Sequence, residues 1–145
     1  RWEVSGGARL FQFAPPPSSG LVRSVHVCPA AALLAVGGEA HADRVSVVGG
    51  GGFARLYDTA LSDADADADE NEICCFELAK PVWCVRLSPS GDRLAAAGYD
   101  AALSLFSTTT FELLHRVRYP PPAAGGPAFV WSCVWSMDGR RLALG

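Results

Sequence analysis

The chain has 145 residues, half of them hydrophobic and 19% charged, with a formal net charge of −3 at pH 7. That balance excludes a disordered polyelectrolyte, and a single lysine, Lys80, argues against a nucleic-acid surface. No run approaches the ~20 apolar residues that a bilayer-spanning helix needs.

In chain order, the first predicted element is residues 6–11, which end in the aliphatic-aromatic pair Leu10–Phe11. Pro15, Pro16 and Pro17 follow as a stiff connector or, alternatively, a polyproline ligand. Residues 22–28 read as a strand, Pro29 as its turn, and residues 34–38 as the returning strand. Residues 44–48 form a short β-branched run followed by Gly49 to Gly52. That glycine run lacks the Lys-Ser/Thr of a phosphate loop and leads into a strand, so no helix N-terminus awaits a phosphate. It reads as a hairpin turn. Either 44–48 or 53–58 can be the third strand; comparison of the repeats favours 53–58 and makes 44–48 an inserted hairpin.

Residues 62–72 are a low-complexity acidic segment holding six of the fifteen acidic residues. Asp63, Asp65 and Asp67 imitate the opening of a calcium loop. Ala68 then stands where the loop needs glycine and Cys74 where it needs a bidentate glutamate, so the imitation fails. A solvated insertion is expected, open to a basic partner.

Val82, Trp83, Cys84, Val85, Arg86 and Leu87 are β-branched and aromatic enough for a strand. Pro89 and Gly91 supply the turn. Leu94 to Gly98 is short and alanine-rich; five residues between two glycines cannot hold a helix in water, so a strand covered on both faces is expected. Tyr99–Asp100 turns the chain into residues 103–106, and residues 112–118 alternate as a half-exposed outer strand should. The unit is four short antiparallel strands.

This unit recurs. Residues 22–38, 82–98 and 130–145 align without gaps: Val22, Val82 and Val130 fall in register, as do Leu34, Leu94 and Leu142. Phe11, Tyr57 and Phe106 each close a second repeated element in the same order. Recurrence on this scale indicates a propeller, solenoid or array.

Val82, Cys84, Val85, Leu87, Ser88, Pro89, Gly91, Asp92, Leu94, Ala95, Ala97 and Gly98, followed by Asp100 and Phe106, resemble the WD-repeat β-propeller. Tyr57–Asp58 sits where that family carries Trp-Asp. The sequence departs from the pattern too: no Gly-His dipeptide precedes the inner strands, and Ala97 replaces a frequent serine. The resemblance implies an all-β fold of four-stranded antiparallel propeller blades, incomplete at about three blades. Residues 1–19 are then the end of a blade with its connector. Residues 20–79 are a blade with the inserted hairpin and acidic loop, and 80–119 a second. Residues 120–127 are a Pro/Gly connector, and 128–145 begin a further, truncated blade. The expectation is a piece of a longer protein or, alternatively, copies that complete one another's ring.

The resemblance implies a non-catalytic scaffold that binds other proteins, with no cofactor or metal. The alternative is the propeller portion of an enzyme whose catalytic residues lie elsewhere. His26, His41 and His115 fall on different elements without ligand spacing, and read as structural or surface residues. The five cysteines (Cys28, Cys74, Cys75, Cys84 and Cys133) lie in apolar strands and read as reduced core residues, favouring the cytoplasm, with the nucleus also compatible. Arg23, Trp83 and Trp131 share one position in successive repeats, near the ring face that such families use for partners. Trp and Arg are enriched at binding hot spots. Two placements are open for the tryptophans: exposed on that face, or wedged between blades as core. Gly91, Asp100 and Gly139 are the structural turn residues.

Overall fold

The computed structural model describes residues 19–40, 50–60, 71–121 and 128–145. The segments 1–18, 41–49, 61–70 and 122–127 lie outside them. With those segments fall the expected strand at 6–11, the proline connector at 15–17, His41, the hairpin strand 44–48 and most of the acidic run.

Among the described residues ten strands make three antiparallel sheets. The first has the order β1 (Ser19–Cys28), β2 (Leu33–Ala40), β3 (Gly52–Asp58), β4 (Glu72–Leu78), with a short 3₁₀ turn, Pro29–Ala31, between β1 and β2. The second repeats that order with β5 (Val82–Leu87), β6 (Arg93–Gly98), β7 (Ala102–Ser107) and β8 (Leu113–Arg118). The third pairs β9 (Cys133–Trp135) with β10 (Leu142–Leu144). The all-β expectation of four-stranded antiparallel sheets holds, and residues 53–58 supply the third strand of the first.

Small side chains let the sheets approach. Ala95 and Ala96 are fully buried in β6, Ala35 takes the place of Ala95 on β2, and Ala54 is fully buried on the neighbouring β3. At Gly37 a Cβ would lie 2.5 Å from a methyl of Val85, so only a hydrogen fits where β2 crosses β5. Leu56 meets Val85, Leu87 and Leu94 in the core between the sheets, and Phe76 stacks on Phe106 with centroids 4.3 Å apart. Full burial of each such side chain contributes about 1.5–3 kcal/mol. A second cluster, Cys84, Ala95 and Cys133 with Leu103, Leu105 and Trp135, joins the third sheet to the second.

The inner strands also clasp each other through side chains. β5 is the edge of its sheet, and the N–H groups of Val85 and Leu87 are satisfied from β1: Ser24 Oγ accepts the first and His26 Nδ1 the second, each at 3.1 Å. One repeat later Cys84, at the position of Ser24, accepts the Cys133 N–H at 3.3 Å through its sulfur. The indole N–H of Trp135 donates to Arg86 O at 3.1 Å. A bare sheet edge is thereby closed by its neighbour.

Three expectations need correction. Strand β8 is exposed along its whole length rather than half-exposed, as the outermost strand of its sheet. Cys28, Cys84 and Cys133 are buried, but Cys75 is exposed and Cys74 only half-buried, since β4 is an outer strand. The two described residues of the acidic run are not solvated: Asn71 is buried, and Glu72 accepts hydrogen bonds from Arg55 at 3.0 Å and the Tyr57 hydroxyl at 3.1 Å.

Candidate functional site

The β5–β6 turn sets the geometry of one end of the second sheet. Gly91 adopts φ 79°, and a Cβ there would lie 2.1 Å from that of Ala31. Ser88 and Ser90 hydroxyls donate to Asp92 at 2.7 and 2.6 Å, which holds its carboxyl below the usual range. The matching turn of the third sheet has Gly139 at φ 66°, with Ser136 donating to Asp138 at 2.5 Å. At the opposite end, Asp100 accepts the Ala102 N–H at 3.1 Å and forms an ion pair with Arg116 on β8.

That opposite end carries an aromatic group. Residues 128–132 run beside β6: Val130 donates its N–H to Gly98 O at 3.1 Å, and the N–H groups of Trp131 and Ser132 converge on Gly145 O at 2.7 and 2.9 Å. Extended backbone alternates side chains, so Val130 is buried while Phe129 and Trp131 share the other side. There they meet Trp83 and Tyr99. Trp83 stacks on Trp131 with centroids 4.3 Å apart and planes 25° from parallel, and meets Tyr99 edge-on at 5.7 Å. Phe129 lies 5.2 Å from Trp83 and 5.0 Å from Tyr99. Such pairs contribute about 0.5–1.5 kcal/mol each beyond area burial.

The cluster fixes its members without hiding them. Trp131 remains 66% exposed. An open apolar hollow of about 460 Å³ adjoins it, with Tyr119, Pro120 and Leu144 on the far side. Trp131 is therefore not wedged between blades, whereas Trp83 is half-buried among Tyr99, Phe129 and Trp131; the fully buried core beside them is built from Cys84, Ala95 and Cys133. Arg23, at the same repeat position, does not join them: its guanidinium Nε donates to Glu39 on β2 at 2.7 Å. Phe129 and Tyr99 escaped the sequence reading, although Phe129 stands two residues before Trp131 on the same side of an extended segment.

His26 is half-buried, and desolvation, aided by the Arg86 charge, lowers its pKa. His115 lies on exposed β8. Among the described residues no three His, Cys, Asp or Glu side chains gather as metal ligands, and no helix is long and apolar enough to cross a membrane.

Residues 72–107 match the family model of the WD domain, G-beta repeat. That segment is similar to one WD repeat. The match begins on β4 of the first sheet and runs through β5, β6 and β7 of the second, so the sequence unit straddles two blades. The chain is also 35% identical over 89 residues to the WD repeat-containing protein VIP3 of Arabidopsis thaliana, a match covering 54% of this chain and 28% of that protein. WD repeat domains generally act as protein-interaction scaffolds.

Proposed function

We propose that this chain is a non-catalytic protein-binding scaffold that offers the cluster of Trp83, Tyr99, Phe129 and Trp131 to its partners. The observation that carries the reading is Trp131: one face is held against Trp83, the other is open beside an apolar hollow. A large ring already ordered in the free protein loses little rotamer entropy on binding. Arg23, at the same repeat position one blade earlier, stays 45% exposed in its pairing with Glu39 and offers a charged contact to the same partners. The five free thiols support a reducing compartment, and we place the protein in the cytoplasm.

The same reading includes neighbouring blades. Val25 and Val27 are 53% and 51% exposed, whereas Val85 and Leu87, which hold the same positions one repeat later, are buried. The face of β1 thus has the composition of an intersheet contact, to be met by another blade of a longer chain or by a second copy.

The test is selection from a displayed random-peptide library on the wild-type chain, with binding then compared on Trp131→Ala. Enriched peptides that lose tenfold or more in affinity, with an unchanged melting curve, support the reading. Peptides that bind both proteins equally, or no enrichment at all, would overturn the choice of this face.

A further inference from the structure

The two intersheet clasps differ in one chemical respect. In the first, Ser24 faces Val85; in the second, the equivalent residues are Cys84 and Cys133, whose sulfurs lie 3.5 Å apart. Both are buried, at 2% and 3% exposure, in the cluster that joins the third sheet to the second. We propose that Cys84 and Cys133 are an oxidative modification site, closed to a reversible disulfide by a hydroperoxide and thereby locking the third sheet onto the second.

The surroundings assign unequal roles to the two thiols. Cys84 Sγ shares a hydrogen bond with the Cys133 thiol, in which either can donate, and accepts the Cys133 N–H at 3.3 Å; with the Arg86 charge these hold its pKa below the ordinary thiol range. Cys133 is pushed the other way by the shared hydrogen bond and by burial. Cys84 is therefore the nucleophile and Cys133 the resolving thiol. Strand β9 has three residues and among the described residues pairs only with β10, and Val134 beside Cys133 is 58% exposed. A transient local opening of this short strand admits a small oxidant to the pair.

The chemistry balances. The Cys84 thiolate attacks one peroxide oxygen, the O–O bond breaks, and the departing oxygen takes up a proton, leaving Cys84 as a sulfenic acid. The Cys133 sulfur then attacks the Cys84 sulfur; the S–O bond breaks and its hydroxyl leaves as water with the proton from Cys133. Two thiols lose two electrons, and one hydroperoxide becomes an alcohol and a water, or two waters for hydrogen peroxide. A dithiol reductant reverses the step.

The experiment treats the reduced chain with hydrogen peroxide, alkylates the remaining thiols, and maps the digested protein by mass spectrometry. The expected product is a peptide pair joined through Cys84 and Cys133, two hydrogens lighter than its reduced parts and released by dithiothreitol. Amide exchange at Trp131 and Cys133 should slow at least tenfold in the oxidised chain. Cys84→Ser must abolish the joined pair; should that variant not fold, Cys133→Val, which installs the residue of the first clasp, must leave a dimedone-reactive sulfenic acid on Cys84. Alkylation of both thiols after peroxide, with oxidation confined to exposed Cys75, overturns the proposal. So does a joined pair without any change in exchange, which would remove the locking role.

Discussion

The imidazole Nδ1 of His26 accepts the backbone N–H of Leu87 across the boundary between the first and second sheets, at 3.1 Å. This bond requires a neutral ring nitrogen, in keeping with the lowered pKa that burial imposes. A histidine whose pKa falls on folding costs nothing while both states are neutral. As pH drops below about 6.5 the unfolded chain takes up a proton that the folded chain refuses, and stability declines until the folded pKa is passed. Urea midpoints at pH 7.5 and pH 5 should differ more in the wild type than in His26→Asn, whose amide oxygen can accept the same N–H without titrating. An equal pH response in both would remove His26 as the cause.

Gly91 and Gly139 occupy one repeat position but should differ in tolerance. Both have positive φ, so an alanine at either is strained by about 1 kcal/mol. At Gly91 the new Cβ also strikes that of Ala31, whereas at Gly139 the nearest atom, on Pro89, is 3.6 Å away. Thermal denaturation should show Gly91→Ala lower than Gly139→Ala by several degrees, with Gly91→Val worse again.

Trp83 and Trp131 should separate when truncated. Trp131→Ala removes an exposed ring and should leave the melting temperature within a few degrees of wild type. Trp83→Ala removes the ring on which Trp131, Phe129 and Tyr99 all lean, and should cost about 2–4 kcal/mol. Equal losses in chemical denaturation would mean that the cluster is a structural unit rather than a presented surface.

Burial pushes the Tyr57 phenol up to about 12. Its unfolded form ionises near pH 10, so folding stability should fall as pH rises between those two values. Ultraviolet titration of the native chain should show a phenol component ionising well above pH 10 that disappears in Tyr57→Phe. Glu72→Ala, which leaves Arg55 without its carboxylate, should destabilise by about 1–3 kcal/mol. A loss below about 0.5 kcal/mol, the scale of an ordinary surface change, would mean that Glu72 is not a structural partner of Arg55.

The strands were legible because their signals are local. The run from Val82 to Leu87 announces β-structure by composition, and Pro89 with Gly91 marks its end. The alanines of β6 argued for close sheets by their size. The clasps were not legible: Ser24, His26 and Cys84 act on backbone groups one repeat away, and nothing in a strand's own composition identifies the edge it will face. The aromatic site was half visible. Trp83 and Trp131 aligned by repeat, but Arg23 aligned equally well and pairs instead with Glu39, while Tyr99 and Phe129 joined through the path of residues 128–132 past Gly98. Glu72 was hidden by its neighbours, since an acidic run looks uniform until one member finds an arginine.

The phase between the WD repeat and the sheets has an evolutionary consequence. The matched unit contributes β4 to one sheet and β5, β6 and β7 to the next. Tandem duplication of such a unit inserts an outer strand that finishes the sheet already begun, followed by three strands that begin a new one. Every copy thus arrives interlocked with its predecessor, and a gene can lengthen by whole units without passing through an intermediate that leaves a sheet unfinished at the junction.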